Sequence, residues 1–223
     1  MLYEAGGLRL DAGYYNAETI QAHRAMAASG LTMMRLGDVT ERIFIPPRFK
    51  RVYVDEAHGV PFLQGTHIVH FRPADLKYLS RSAHRNLERW IIKAGWVLVT
   101  CSGTIGRVAI ALQQWDDWAA SQHILRVVPK ADGICPAGYI YAWLSSPLGQ
   151  AQFNGIYGAV VDELTADHVK NILIPVPETE EQRDMVRSIN ALVMDAVATK
   201  ERALEQDALA VETVSRLIPA AAG

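Results

Sequence analysis

The chain has 223 residues, 50% of them hydrophobic and 21% charged, with a formal net charge of −2. That suits one medium domain with an appendage, or two small domains, with enough chain to bury a real core, and nothing global announces a nucleic-acid or membrane partner. No segment reaches eighteen apolar residues, and the opening MLYEAGGLRLDAGYY has no basic region followed by an apolar run, so neither a membrane span nor a signal peptide is expected.

Leu8 to Tyr15 is a short amphipathic entry, and Glu18 to Ser29 is rich in helix formers and ends at Gly30, which predicts a helix with a glycine cap. Leu31 to Val39 is a weak strand with a Gly37-Asp38 turn. Ile43-Phe44-Ile45 is stopped by Pro46-Pro47, and Arg48 to Val54 alternates basic with apolar residues as a half-exposed strand does. Val60 to His70 predicts a strand interrupted at Gly65. In the basic stretch from Arg72 to Arg89, Lys77, Arg81, Arg85 and Arg89 recur four apart. If that stretch is helical they share one face, either solvated or set against an anion such as phosphate.

The chain is organised around GWVLVTCSGTIGR, Gly95 to Arg107. A buried strand runs into a glycine turn, and Val108 to Leu112 follows as a second strand. The turn is either a tight connection inside a core or a place where Ser102, Thr104 and backbone amides meet a phosphate beside Arg107. Gln122 to Pro129 is a further strand, Pro136 to Ser146 a short aromatic helix, Leu148 to Phe153 a second short helix, and Tyr157 to Val161 a strand. Thr165 caps a helical turn through Lys170, and Ile172 to Val176 is the last strand.

From Glu178 to Ile218 there is no Gly or Pro and acids crowd the first turn, which predicts one helix of about 60 Å. Val186 and Val193, then Val197, Leu204, Val211 and Ile218, fall seven apart, with Ile189 beside them. That stripe predicts antiparallel pairing, with a helix folded on its own domain as the alternative.

Charge is unevenly spread. Glu41 to Lys93 holds ten Lys/Arg against five acids, and Glu178 to Pro219 five bases against nine acids, so the two regions face different partners or solvent. His67 and His70 lie three apart on an expected strand and face opposite sides, which does not make a zinc site. Cys101 precedes Ser102-Gly103, but Thr100 stands where a nucleophile elbow needs its first glycine. No phosphate-binding loop or dinucleotide fingerprint occurs, and the two cysteines suit free thiols in a reducing cytoplasm. An enzyme acting through Cys101 or Asp117 is the remote possibility. A nucleic-acid reader fits better: Arg and Lys attract phosphates, and Gln64, Thr66, His67, His84 and Asn86 can read base edges.

In order, RLDAGYY, Phe49 to Val54, Gly59 to Leu63, GWVLVTCSGTIGR, Ser121 to Arg126, Gly138 to Ala142, Tyr157-Gly158, Ile172 to Pro177 and Glu180-Glu181-Gln182 resemble the specificity (S) subunits of type I restriction-modification systems. The resemblance implies an α+β chain: a β-rich target recognition domain over residues 1–177, a coiled-coil-type helical spacer over 178–218 and a tail over 219–223. It implies a non-catalytic, cytoplasmic subunit that reads one half of a bipartite double-stranded DNA site and scaffolds methyltransferase subunits. Those carry S-adenosylmethionine, and a restriction subunit uses ATP and Mg, so this chain itself needs no cofactor. The family usually carries two recognition domains and two spacers, whereas this chain has one of each. It is therefore either a half-subunit that dimerises through Val186, Ile189, Val193, Val197, Leu204, Val211 and Ile218, or a fragment of a longer gene. Phosphate contacts are expected at Arg48, Lys50, Arg51, Lys77, Arg81 and Arg85, with Ser102, Thr104 and Arg107 near the DNA. The alternative is an interaction module of the same fold that has lost DNA binding.

Overall fold

The computed structural model describes residues 17–70, 72–157 and 163–217. In chain order the elements are α1 (Ala17–Ala28), β1 (Met33–Arg35), α2 (Leu36–Val39), β2 (Thr40–Phe44), β3 (Tyr53–Val54), β4 (Gly59–Leu63), β5 (Lys77–Ser80), β6 (Val97–Thr100), β7 (Val108–Ile110), β8 (Ala119–Ala120) and β9 (Ile124–Pro129). They are followed by α3 (Ala137–Ser145), α4 (Pro147–Tyr157), α5 (Ala166–Lys170), β10 (Leu173–Pro175) and α6 (Glu180–Leu217).

β6 is buried along its whole length, so it needs a strand on each edge and a layer on each face. The edges are supplied by β9 and β7 in an antiparallel sheet ordered β2-β9-β6-β7, with Val97 opposite Ile110 and Val127. The faces follow the two-residue alternation of strands. Val97, Val99, Leu125, Val127 and Ile110 point into a core shared with Ile140, Leu144, Phe153 and Ile174. Leu98, Ala109, Ala111 and Ile124 point the other way, onto Leu63, Ile92 and Trp115. A second sheet, β3-β5-β4-β8, abuts this second core and carries its own cluster of Phe62, Leu79, Leu87 and Trp90. β1 pairs antiparallel with β10, joining two distant parts of the domain.

Arg126 sits fully buried in β9, where its Nη atoms donate to the carbonyls of Ser121 (2.8 Å), Ala120 (2.6 Å), Trp90 (3.2 Å) and Ile124. Desolvation pushes this guanidinium down to about 9. The carbonyls turn a costly buried charge into a clasp on the 120–124 turn, because hydrogen bonds to charged donors are the stronger kind.

Several expected elements differ. Of the strand expected over Arg48 to Val54, only Tyr53–Val54 is laddered, and after Leu63 the chain makes a 3-10 turn at His67–Val69 instead of extending. The 31–39 segment holds a three-residue strand followed by the short helix α2. The second short helix, expected over Leu148 to Phe153, runs through Tyr157, where a strand was expected to begin, and the rest of that strand to Val161 lies outside the described residues, as does Leu8 to Tyr15. Arg72 to Arg89 is not a helix: it is β5, a turn and a 3-10 turn at Leu87–Arg89. In that turn Ser80 Oγ accepts from Ala83 N (3.2 Å) and His84 Nδ1 lies 2.7 Å from Ser80 O, local bonds that compete with helical ones. Lys77, Arg81, Arg85 and Arg89 therefore share no helical face.

The long helix is present, with 38 residues and a length of about 57 Å. Thr179 Oγ1 accepts from Gln182 N (3.2 Å) at its start, and Gln182 Oε1 accepts from Thr179 N (3.2 Å), the reciprocal bonding of a capping box. Its first part folds on its own domain. Val186 and Leu204 are buried, and Ile189, Val193 and Val197 are packed against the same cores. Gly138 on α3 sets the approach: its N–H donates to Asn190 Oδ1 (2.9 Å), and a Cβ there would lie 2.9 Å from the Asn190 carbonyl. Further along, Glu201 Oε1 accepts from Gln113 N (2.5 Å) and Arg72 pairs with Asp207. The stripe expected to pair with another helix is thus buried against its own chain at Val186 and Leu204 and partly buried at Ile189, Val193 and Val197, and full burial of such a side chain contributes about 1.5–3 kcal/mol without a partner. Val211 is exposed, and Ile218 lies outside the described residues.

Candidate nucleic-acid interface

The glycine turn after β6 forms one wall of a polar cleft of about 360 Å³. Thr100 N donates to Arg107 O (2.9 Å), Gly106 N to Thr100 O (3.0 Å) and Arg107 N to Thr100 Oγ1 (3.0 Å), while Thr100 Oγ1 itself donates to Thr104 O. Gly103 and Gly106 take φ of +73° and +80°, the left-handed region that costs other residues roughly 1–2 kcal/mol. Gly103, Thr104 and Arg107 are exposed as a result. The opposite walls are Gln64, Gly65 and Thr66 after β4, Ser121 and His123 before β9, and Arg51. Ser121 N donates to Leu63 O (2.8 Å), which fixes two of these walls together.

Arg51 lies over the Phe62 ring, 5.3 Å from its centroid, and donates from Nη2 to Gln122 Oε1 (2.8 Å). Gln122 Nε2 lies 3.0 Å from His123 Nε2, and His123 Nδ1 lies 2.6 Å from Ser102 Oγ. Glu163, brought beside Ser102 by an isolated antiparallel bridge, places Oε1 3.6 Å from His123 Nδ1 and Oε2 3.3 Å from Arg48 Nη2.

Beside the cleft runs a basic ridge. Val52 O accepts from Ser80 N (2.9 Å), and His84 bridges the two segments with Nε2 3.1 Å from Lys50 O. Arg48 and Lys50 on one segment and Arg81 and Arg85 on the adjoining turn are all exposed. Lys77 is at the far end of β5 from that turn, over the Tyr53 ring at 5.2 Å. The structure therefore gathers Arg51, Ser102, Thr104 and Arg107 around one cleft, sets Arg48, Lys50, Arg81 and Arg85 along its flank, and leaves Lys77 apart. Gln122, His123 and Glu163 are site residues that spacing does not reveal. Only strand pairing between β6 and β9 and the 102–163 bridge bring them to Ser102.

The arrangement does not support nucleophilic catalysis. Ser102 and Glu163 both approach Nδ1 of His123 while Nε2 faces Gln122, whereas a triad needs the hydroxyl and the acid on different ring nitrogens. Burial, and secondarily the charge of Glu163, pushes the Cys101 thiol up to about 12, far from a reactive thiolate. Asp117 is held by Lys93 at 2.5 Å in a surface turn. Among the described residues no His/Cys/Asp/Glu cluster could hold a metal ion, and no helix is long and apolar enough to cross a membrane.

Comparison with known proteins fits this architecture. The family described as type I restriction modification DNA specificity domain matches residues 29–206. The type I restriction enzyme EcoBI specificity subunit of Escherichia coli is 29% identical over 118 residues, 52% of this chain and 24% of that protein. A chain from a structural study of complex assembly and conformational transition of the type I R-M system superposes with a TM-score of 0.52 at 20% identity, covering 88% of this chain and 49% of that one. The type I restriction-modification S subunit from M. genitalium gives 0.53 at 10% identity, covering 94% and 52%. At these identities the two structures show a shared fold. This chain spans about a quarter of the E. coli subunit and about half of each solved chain. With the family match extending over residues 29–206, the chain belongs to the type I restriction modification DNA specificity domain family.

Proposed function

We propose that this chain is a DNA-reading, non-catalytic specificity component of a type I restriction-modification complex, built as a recognition domain over residues 1–177 followed by a helical spacer from 178. The observation that carries this is the union of cleft and ridge. Donors and acceptors suited to base edges, Gln64, Thr66, Ser102, Thr104 and His123, line one concavity. It is flanked by Arg48, Lys50, Arg51, Arg81 and Arg85, which neutralise phosphates without reading sequence. Lys77 remains a phosphate contact only if the duplex extends along β5.

Methyltransferase subunits carrying S-adenosylmethionine and an ATP-dependent restriction subunit are the partners this assignment implies, with the cytoplasm as its place. The exposed apolar residues of α6, Met185, Leu192, Leu209, Val211, Val214 and Leu217, support pairing with a second long helix. That helix comes from another copy or from a longer version of the chain, and the seam lies on these residues rather than on Val186, Ile189, Val193, Val197 and Leu204.

Duplex binding of the full chain with its methyltransferase, measured against salt concentration, tests the assignment. Each phosphate contact removed lowers the slope of log K against log salt by about 0.9. Arg51→Ala and Arg85→Ala are each expected to lower it by about that amount with the preferred sequence unchanged. An unchanged slope in both variants contradicts the placement of the interface.

A further inference from the structure

The polar side chains around the cleft form a chain whose hydrogen-bond directions are fixed from one end. Arg51 can only donate, so the oxygen of the Gln122 amide must face it, as the 2.8 Å contact to Oε1 shows. The Gln122 NH₂ then faces Nε2 of His123 at 3.0 Å. That nitrogen must accept, because a proton on it would set donor against donor. The ring proton of neutral His123 therefore resides on Nδ1, 2.6 Å from Ser102 Oγ, and the Ser102 oxygen is the acceptor of that bond. Ser102 Oγ has no second hydrogen-bond partner among the described residues, and the side chain lines the cleft. Its own hydroxyl hydrogen is left to point into the open space.

We propose that the relay Arg51–Gln122–His123 fixes Ser102 as a hydrogen-bond donor toward the cleft, making Ser102 a specificity-determining residue that selects an acceptor atom on the bound DNA. This rests on the nucleic-acid assignment above. The acceptor is a base-edge atom, such as purine N7, guanine O6 or thymine O4; groups that offer only a donor, such as cytosine N4, are rejected. Gln122 and His123 are positioning residues, since they act through Ser102.

Two measurements separate the relay from the DNA assignment. The tautomer of His123 in the full-length ¹⁵N-labelled chain is read from long-range ¹H–¹⁵N couplings near neutral pH, with His123→Asn identifying the signal. Protonated Nδ1 and bare Nε2 are expected, and protonated Nε2 overturns the relay whatever the chain binds.

The second measurement selects duplexes from a randomised pool, using the chain with its methyltransferase, for wild type and Ser102→Ala. Wild type is expected to prefer, at one position, a base whose facing edge carries an acceptor over cytosine. Ser102→Ala is expected to lose that preference, with affinity for the selected duplex reduced about five- to tenfold. The selected duplex carrying 7-deazapurines assigns the acceptor to base N7 if it lowers wild-type but not Ser102→Ala binding. The same differential loss with methylphosphonates places the hydroxyl on a phosphate oxygen and overturns the selection role, while persistence of the preference through both assigns the acceptor to a base carbonyl. Full retention of affinity and preference by Ser102→Ala overturns the selection role. Absence of any salt-dependent duplex binding by wild type overturns the DNA assignment and leaves Ser102 without a nucleic-acid ligand, while the tautomer result stands alone.

Discussion

Adding a single methyl group at each glycine of the cleft turn separates backbone strain from packing. Gly103 and Gly106 have nearly the same positive φ, +73° and +80°, so alanine at either pays about 1–2 kcal/mol for the left-handed conformation. Their surroundings differ. A Cβ at Gly103 meets nothing within 4 Å, whereas one at Gly106 lies 3.3–3.4 Å from three atoms of Phe153. Phe153 is 2% exposed and belongs to the core under the first sheet, so it has little room to yield, and crowding there adds about 1 kcal/mol or more. Gly106→Ala should thus destabilise by about 2–4 kcal/mol and Gly103→Ala by about 1–2 kcal/mol. Urea unfolding followed by tryptophan fluorescence gives both values. Conversely, Gly103→Ala should weaken duplex binding more than its small stability loss suggests, because the new methyl projects into the open cleft. Equal destabilisation by the two changes, or a greater loss at Gly103, would refute the account of what the turn packs against.

Gly138→Ala places a Cβ 2.7 Å from Asn190 Oδ1 and 2.9 Å from its backbone carbonyl. It should cost about 1–3 kcal/mol and speed amide exchange in α6 more than in β6; uniform exchange rates contradict the docking. Leu192→Asp with Leu209→Asp should abolish self-association in light scattering without lowering the melting temperature, since both side chains are exposed. Leu204→Asp should instead unfold the domain, because Leu204 is buried beside Trp115. An unchanged mass for the first pair, if wild type is dimeric, refutes the assigned seam. Burial holds His23 and His67 below the ordinary 6.5, with His70 lowering His67 further and Asp75 opposing. Their neutral forms fit the fold, so their contribution is complete above about pH 6.5 and is lost as pH falls through 6.5 toward the lower folded-state values. The urea midpoint should fall with acidification across that window, more weakly in His67→Gln, and a midpoint that rises contradicts the sign.

Much of the frame is legible in the residues alone. Val97 to Thr100 and Val108 to Ile110 are apolar runs joined by glycines, and they form the expected strand pair. A 38-residue helix follows from the lack of Gly and Pro after Glu178. Which face of that helix is buried was not legible: Val186/Val193 and Met185/Leu192 both recur at seven, and only the fit of Asn190 to Gly138 decides between them. Arg72 to Arg89 misled because charges four apart are compatible with a helix but do not make one, and the Ser80 and His84 side chains bond the backbone of a turn instead. Within the cleft, Ser102, Thr104 and Arg107 were legible through the glycine turn. Gln122 and His123, which lie twenty residues or more from Ser102 in sequence, reach it through strand pairing. Arg126 appears as one more base in a strand and gives no hint of its burial.

On the function proposed here, this cleft and ridge specify a DNA sequence. Mapping methylated bases in host DNA by single-molecule sequencing, with the methyltransferase expressed and this gene present or deleted, tests it most directly. Loss of one bipartite modified motif on deletion, restored by wild type but not by a chain carrying Arg51→Ala with Ser102→Ala, is the predicted result. A methylation map indifferent to the gene would contradict it.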